Sequence, residues 1–203
     1  MLNLYIANLG KNNEGELVGV WISLPFEEEE LQELFVKIGV GIMVDGEYKH
    51  GKIESVGGHE YVYEEYAIHD YECDIEGLEI KEYSSIERLN EIAKALDEID
   101  DWDLKCFEAL MEMDYVRIDD IKDSGDIRLE IEKYCFSELD EDESSISVYN
   151  SDKALGYHLA ELNGVDNELE KLGISFYFNY ETYGRDARFN GTRLASNDIV
   201  ILW

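Results

Sequence analysis

Leu17-Val-Gly-Val-Trp-Ile-Ser-Leu24-Pro25-Phe-Glu-Glu-Glu-Glu30-Leu-Gln-Glu-Leu-Phe35-Val-Lys-Ile-Gly39 changes character halfway along its length. The first eight residues are apolar and rich in β-formers, which reads as a strand. From Pro25 onward, Leu31, Leu34, Phe35 and Ile38 fall at i, i+3, i+4 and i+7, the spacing of one helix face, and Gly39 stops it. Upstream, Leu2 to Leu9 is a second apolar segment, joined to the first by Gly10-Lys-Asn-Asn-Glu-Gly15, which reads as a hairpin loop. A hairpin running directly into a helix sets the class as α+β, with antiparallel sheets and short helices.

Downstream, Gly41 to Val44 and Tyr48 to Val56 flank an Asp45-Gly46 turn, and Gly57-Gly58 closes that hairpin. Tyr61 to Tyr71 alternates loosely, as a strand would. Ser84-Ser85-Ile86-Glu87 is a capping box before a helix whose apolar face is Ile86, Leu89, Ile92, Ala93, Leu96 and Ile99. Glu87, Glu91 and Glu98 lie on its opposite face, with Lys94 among them. Asp101 or Asp103 starts a further helix with Leu104, Phe107, Leu110 and Met111 inward. Asp126 to Phe136 fits a helix or a strand, and the helix is preferred. Ser137 to Ser145 reads as an acidic loop and a domain boundary. A helix capped by Ser151 runs to Leu162 and stops at Asn163-Gly164, and Arg188 to Trp203 reads as two strands around Asn197.

The chain of 203 residues has 48 acidic and 17 basic residues, a formal net charge of -31, yet 12% of it is aromatic and it has one proline. That composition excludes a disordered acidic tail. No apolar run approaches the ~18 residues of a membrane span. Met1 to Gly10 lacks basic residues ahead of an apolar stretch, so no signal peptide is expected. Cys73, Cys106 and Cys135 are odd in number without C-x-x-C spacing, which suits a reduced, cytoplasmic protein. The charge is uneven: residues 1–83 carry 19 acids and 5 bases (net -14), residues 84–148 carry 21 and 7 (-14), and residues 149–203 carry 8 and 5 (-3). DNA, RNA and anionic lipid share the sign of the protein, and Arg185, Arg188 and Arg193 are the nearest approach to a basic cluster. No nucleic-acid or membrane partner is therefore expected, and a cationic partner is favoured.

Familiar chemistries fail on spacing. Asp119-Asp120-Ile-Lys-Asp123-Ser-Gly125-Asp126 comes closest to a calcium loop but lacks the bidentate Glu at the right offset. His69 and Cys73, four apart, have no second pair of ligands and read as a surface histidine and a core thiol. No nucleophile elbow, phosphate loop, dinucleotide fingerprint or zinc-protease motif is present. Neither metal, cofactor nor catalysis is expected. One or two of Glu27, Glu28, Glu29 and Glu30 would suffice to cap a helix, at about 0.3 to 1 kcal/mol each; four, with Glu33, exceed that need. Solubility asks for a net charge magnitude of about 2 to 8. The excess fits imitation of a polyanion: at one charge per ~1.7 Å, 31 carboxylates match about 53 Å of duplex.

Tyr5-Ile-Ala-Asn-Leu-Gly-Lys-Asn-Asn-Glu-Gly15, Leu17-Val-Gly-Val-Trp21, Leu24-Pro25, Tyr63-Glu-Glu-Tyr-Ala-Ile-His-Asp-Tyr-Glu72, Tyr83-Ser-Ser-Ile86 with Leu89-Asn90, and Tyr180-Glu-Thr-Tyr-Gly-Arg-Asp186 with Asn190-Gly191-Thr192 resemble the ArdA antirestriction proteins over nearly the whole chain. The resemblance implies an elongated mixed α/β chain of about three small domains that dimerises and resembles bent DNA. It implies a non-catalytic mimic that occupies the DNA-binding groove of type I restriction-modification enzymes, inhibiting restriction and modification. The alternative is a polyanionic module for another basic protein, such as a nucleoid protein or regulator. Domains are expected at 1–83, 84–143 and 144–203, with residues from about Val40 to Glu60 an insertion relative to shorter members. The displayed carboxylates are Glu27, Glu28, Glu29, Glu30, Glu33, Glu64, Glu65, Asp70, Glu72, Asp74, Glu76, Glu87, Glu91, Glu98, Asp101, Glu108, Glu112, Asp119 and Asp120. The acid-poor C-terminal third is the expected dimer contact, through Leu155, Leu159 and Leu162.

Overall fold

The computed structural model describes residues 2–121, 125–129, 147–190, 192–197 and 200–202, and the chain divides into two compact units, Met1–Glu98 and Ile99–Trp203. The secondary structure is α+β, with antiparallel sheets of two or three strands among short helices.

The first unit is built on β1 (Leu2–Asn8), the centre of a three-stranded sheet in the order β2-β1-β7, with β2 at Gly19–Leu24 and β7 at Tyr66–Cys73. Leu2 opposes Leu24 across one side and Cys73 across the other. Leu2, Leu4 and Ile6 point into the core. The register with β7 shifts between Tyr5 and Ile6: Tyr5 faces Asp70 and Ile6 faces Ile68, leaving His69 as the extra residue of a β-bulge. A five-residue helix, α1 (Leu9–Asn13), occupies the expected hairpin loop, because Asn8 caps it by accepting from the Lys11 N–H at 3.0 Å.

Helix α2 (Glu28–Ile38) buries Leu31, Leu34, Phe35 and Ile38 as its spacing predicts and ends at Gly39, whose φ of 78° places it in the left-handed region. It begins three residues after Pro25, because the Phe26 N–H is taken by the Asn90 side chain and Glu27 is the N-cap. Strands β3 (Gly41–Val44) and β4 (Glu47–His50) form the hairpin at Asp45-Gly46, where both residues have positive φ as a tight two-residue turn requires. The segment Tyr48 to Val56 is not one strand. Gly51, at φ 88°, breaks it, and β5 (Lys52–Val56) pairs instead with β6 (His59–Tyr63) around Gly57-Gly58. The expected strand from Tyr61 to Tyr71 is likewise two, interrupted at Glu64-Glu65, whose carbonyls accept from the His50 ring and the Leu9 N–H.

Helix α3 (Ile86–Glu98) falls in this first unit, whereas the expected boundaries put it in a domain at 84–143. Its cap is Ser85, one residue after the expected Ser84: Ser85 Oγ accepts from the Arg88 N–H at 3.1 Å.

In the second unit, Asp100 caps α4 (Asp101–Glu112) by accepting from the N–H groups of Trp102 and Asp103, and Phe107, Leu110 and Met111 turn inward. Residues 125–129 are helical (α5); the remainder of the helix expected over Asp126–Phe136, and the loop expected over Ser137–Ser145, lie outside the described residues. Helix α6 (Asp152–Leu162) has the expected Ser151 cap. Strands β8 (Ser147–Tyr149), β9 (Thr192–Leu194) and β10 (Val200–Leu202) form an antiparallel sheet in the order β8-β10-β9. Two helices were not foreseen, α7 (Val165–Leu172) and α8 (Tyr180–Ala187).

Helices α6 and α8 meet backbone to backbone. A Cβ on Gly156 would collide with the Tyr180 carbonyl, and one on Gly184 with the Asp152 carbonyl. Arg188 closes the crossing, with Nη2 donating to Asp152 Oδ2 at 3.0 Å and Nε 2.6 Å from Oδ1. The Tyr157 and Tyr180 rings stack at 3.9 Å. Gly184→Ala should cost the second unit about 3 kcal/mol, because only backbone could give way. Denaturant unfolding followed by circular dichroism tests this, and an unchanged midpoint would contradict the contact.

Candidate functional site: carboxylate surface and aromatic groove

Fourteen of the nineteen candidate carboxylates lie in the first unit and five in the second, and all but the half-buried Glu108 are exposed. Local structure accounts for their placement. Glu28, Glu29 and Glu30 occupy the first turn of α2, where the helix dipole favours them. Glu30 reaches back to the Glu27 N–H at 2.9 Å, which leaves Glu28, Glu29 and Glu33 beyond the needs of the cap. The bulge at His69 turns both His69 and Asp70 outward on the edge strand β7, and Glu72 follows on the face of Asp70. Asp74 and Glu76 lie in the loop after β7. Glu87, Glu91 and Glu98 form the outer face of α3. Asp101, Glu108 and Glu112 belong to α4, and Asp119 and Asp120 to a 3-10 turn at Ile118–Asp120.

Glu112 and Glu72 also join separate elements. Glu112 accepts from the Ser196 N–H at 2.9 Å and the Ser196 hydroxyl at 2.8 Å, fastening the turn between β9 and β10 to α4. Glu72 accepts from the Asn3 amide at 3.3 Å. The proposed dimer leucines separate. Leu155 is 0% exposed and belongs to the core of its own unit, which withdraws it as a contact; Leu159 is half-buried and Leu162 is 63% exposed. His69 and Cys73 do not converge on a site, and among the described residues no group of three His, Cys, Asp or Glu could hold a metal ion. Among the described residues, too, no helix is long and apolar enough to cross a membrane.

A feature missed in sequence lies within the first unit. Between the N-terminal half of α2, the start of α3 and strand β4 runs a groove of about 770 Å3. Glu27 and Glu28 stand on one rim and Glu87 and Glu91 on the other, with Lys94 the one base in the lining. Its floor is aromatic: Phe35 lies 4.7 Å from the Tyr66 ring and 5.5 Å from the His50 ring, centre to centre, and Tyr48 stacks on Phe35 at 6.5 Å. His50 is fixed at both nitrogens. Nε2 donates to the Glu64 carbonyl at 2.8 Å, so Nδ1 pairs with the Tyr48 hydroxyl at 2.9 Å. Burial pushes the Tyr48 phenol up, with Tyr66 adding to it; burial and the Glu87 carboxylate do the same to Tyr66. Both are neutral hydroxyls at physiological pH. The only signal in the sequence is that Tyr48 and His50, two apart, share one face of a strand.

The rims are held in register by Asn90. Its Oδ1 accepts from the Phe26 N–H at 2.7 Å and its Nδ2 donates to the Phe26 carbonyl at 2.9 Å, both buried. Asn90→Ala should cost about 2 to 4 kcal/mol by leaving two main-chain groups unpaired. Asn90→Asp keeps the acceptor but sets a carboxylate against the Phe26 carbonyl. Its pKa must rise on folding, so its stability should be lowest above neutrality and recover toward pH 4, where the protonated acid can donate. Unfolding curves at pH 4 and pH 7 distinguish the two substitutions.

No curated protein shows significant similarity to the chain. Residues 4–200 match the family model described as Antirestriction protein (ArdA). That match spans the sheet, the groove and the α6–α8 crossing alike, and the chain therefore belongs to the ArdA family of antirestriction proteins.

Proposed function

We propose that the protein blocks type I restriction-modification enzymes by occupying their DNA-binding groove as a charge mimic of the duplex, inhibiting both cleavage and methylation. The observation that supports this most directly is the outward display of the carboxylates: eighteen of the nineteen named above are exposed, in a chain of net charge -31. Such a surface attracts a basic groove over a distance and raises the rate of encounter. In contact, its carboxylates take the place of phosphates against lysine and arginine. The reading requires no bond-making by the protein, and it assigns both inhibited activities to one cause, exclusion of DNA.

The test is competition between the protein and duplex DNA for a type I methyltransferase core at several salt concentrations. The dissociation constant should rise steeply with salt but less steeply than that of DNA, since carboxylates spread over a folded surface condense fewer counterions. Neutralising Glu27, Glu28, Glu29, Glu30 and Glu33 together should weaken binding measurably, whereas a single exposed carboxylate is worth at most about 1 kcal/mol. Inhibition of cleavage that left DNA bound to the core would contradict groove occupancy.

Self-association is proposed to run through the second unit. Residues 149–203 carry a net of only -3, from 8 acids and 5 bases. Of the aromatics there, Phe178, Tyr180 and Tyr183 are half-buried, while Phe176 and Tyr177 are 95% and 82% exposed and Phe189 is 85% exposed. Phe176 and Tyr177 adjoin ring to ring at 5.8 Å, an exposed apolar pair suited to an interaction surface. Leu162→Glu combined with Phe176→Glu should give a folded monomer by sedimentation. A monomer in the unmodified protein at micromolar concentration would end the proposal.

A further inference from the structure

The groove of the first unit has a property that imitation of a polyanion does not require: an aromatic floor beneath carboxylate rims. Phosphates of a duplex offer arginine charge and hydrogen bonds but no ring to stack on. Glu28 and Glu87 are each held by a neutral donor, the Gln32 amide at 2.9 Å and the Ser85 hydroxyl at 3.0 Å, so their orientation is fixed through an uncharged partner. Glu91, by contrast, lies 3.2 Å from the Arg88 guanidinium. The groove is therefore anionic at the mouth and apolar at the base, and Asn90 keeps its two helical walls together.

We propose that this groove receives an arginine side chain, with the short backbone segment that carries it, from the DNA-binding surface of the protein partner. The proposal deepens the mimicry reading and rests on it for the identity of the partner. The chemistry selects arginine. A guanidinium is planar and weakly hydrated, so it can lie on the rings of Tyr48 and Tyr66 while its edge donates to Glu28 or Glu87. A lysine ammonium has no flat face and holds its water more tightly. An apolar segment would bury the rim carboxylates against nothing, which is costly. A nucleic acid has the wrong sign, and among the described residues no three carboxylates converge closely enough to hold a metal ion. At about 770 Å3 and open to solvent along its length, the groove has room for main chain along with the side chain. A contact of this kind would give the inhibitor a short-range grip that duplex DNA does not provide.

The test begins with the full-length chain and two probes, N-acetyl-arginine amide and N-acetyl-lysine amide, followed through the aromatic side-chain NMR signals. The arginine probe should shift the Tyr48 and Tyr66 rings saturably, and the lysine probe at least threefold more weakly. Glu28→Gln with Glu87→Gln, both exposed and free of core contacts, should weaken the arginine response at least fivefold. Glu161→Gln with Glu168→Gln, the same charge change in the other unit, should leave it intact. In competition with DNA for a methyltransferase core, the groove pair should raise the dissociation constant about tenfold and the control pair threefold or less, as loss of a stacked, paired cation predicts. Unmoved rings, an equal response to both probes, or equal effects of the two pairs overturn the groove assignment. DNA competition by the unmodified chain would survive those outcomes. If that competition is absent, the mimicry reading fails whatever the rings report.

Discussion

Mutual repulsion among 48 carboxylates is the condition under which every other contact in this protein has to form. It requires that the interior be tied together without charge. The first unit meets this with two buried asparagines. Asn8 joins the central strand to two helices at once, capping α1 and donating to the Ile38 carbonyl at the end of α2 at 3.0 Å. Asn90 fastens α3 to the entry of α2. Both are neutral and shielded, so neither salt nor moderate pH changes weaken them. The buried acid among the described residues, Asp103, sits in the first turn of α4, where the helix dipole supports a negative charge. Among the described residues the ion pairs are mostly local: Arg117–Asp114 and Lys171–Glu168 are each three residues apart on an exposed surface, where water screens them, while Lys11, 17% exposed, is shared between Glu14 and Glu54. The first unit thus ties its interior with neutral hydrogen bonds while its acids face solvent.

That separation explains which parts of the structure could be read in the sequence. Helices α2, α3 and α4 were legible because each buries large apolar side chains at helical spacing, and the Asp45-Gly46 hairpin because its turn chemistry is local. Helices α7 and α8 were hidden for the opposite reason. No residue of α7 is buried, and α8 packs through Gly184, which contributes no side chain to any hydrophobic pattern. The break at Gly51 was obscured by β-forming residues on both sides of it. A single glycine in a strand pattern admits either a bulge or a change of partner, and only the pairing of β5 with β6 across Gly57-Gly58 decides which.

The carboxylate surface was legible as a quantity and largely as a set of residues, since acids on the polar face of an amphipathic helix have nowhere to go but out. The groove was not. Phe35 declared itself only as part of the apolar face of α2, while Tyr48, His50 and Tyr66 come from two separate strands that approach it through tertiary packing alone. The bulge at His69 is similar: nothing local distinguishes Tyr66 to Cys73 from a regular strand, yet one unpaired residue turns Asp70 toward solvent.

Gly51 has a consequence beyond the shape of one loop. By ending β4, it leaves Tyr48 and His50 on a short hairpin of their own, hydrogen-bonded strand to strand rather than to the three-stranded sheet. One wall of the groove therefore stands on the β3–β4 hairpin, while α2, α3 and the three-stranded sheet supply the rest. Tyr48 and His50 at the base of that hairpin are tied to the buried Phe35, whereas Asp45, Gly46 and Glu47 at its tip face solvent, so substitution is free at the tip and constrained at the base.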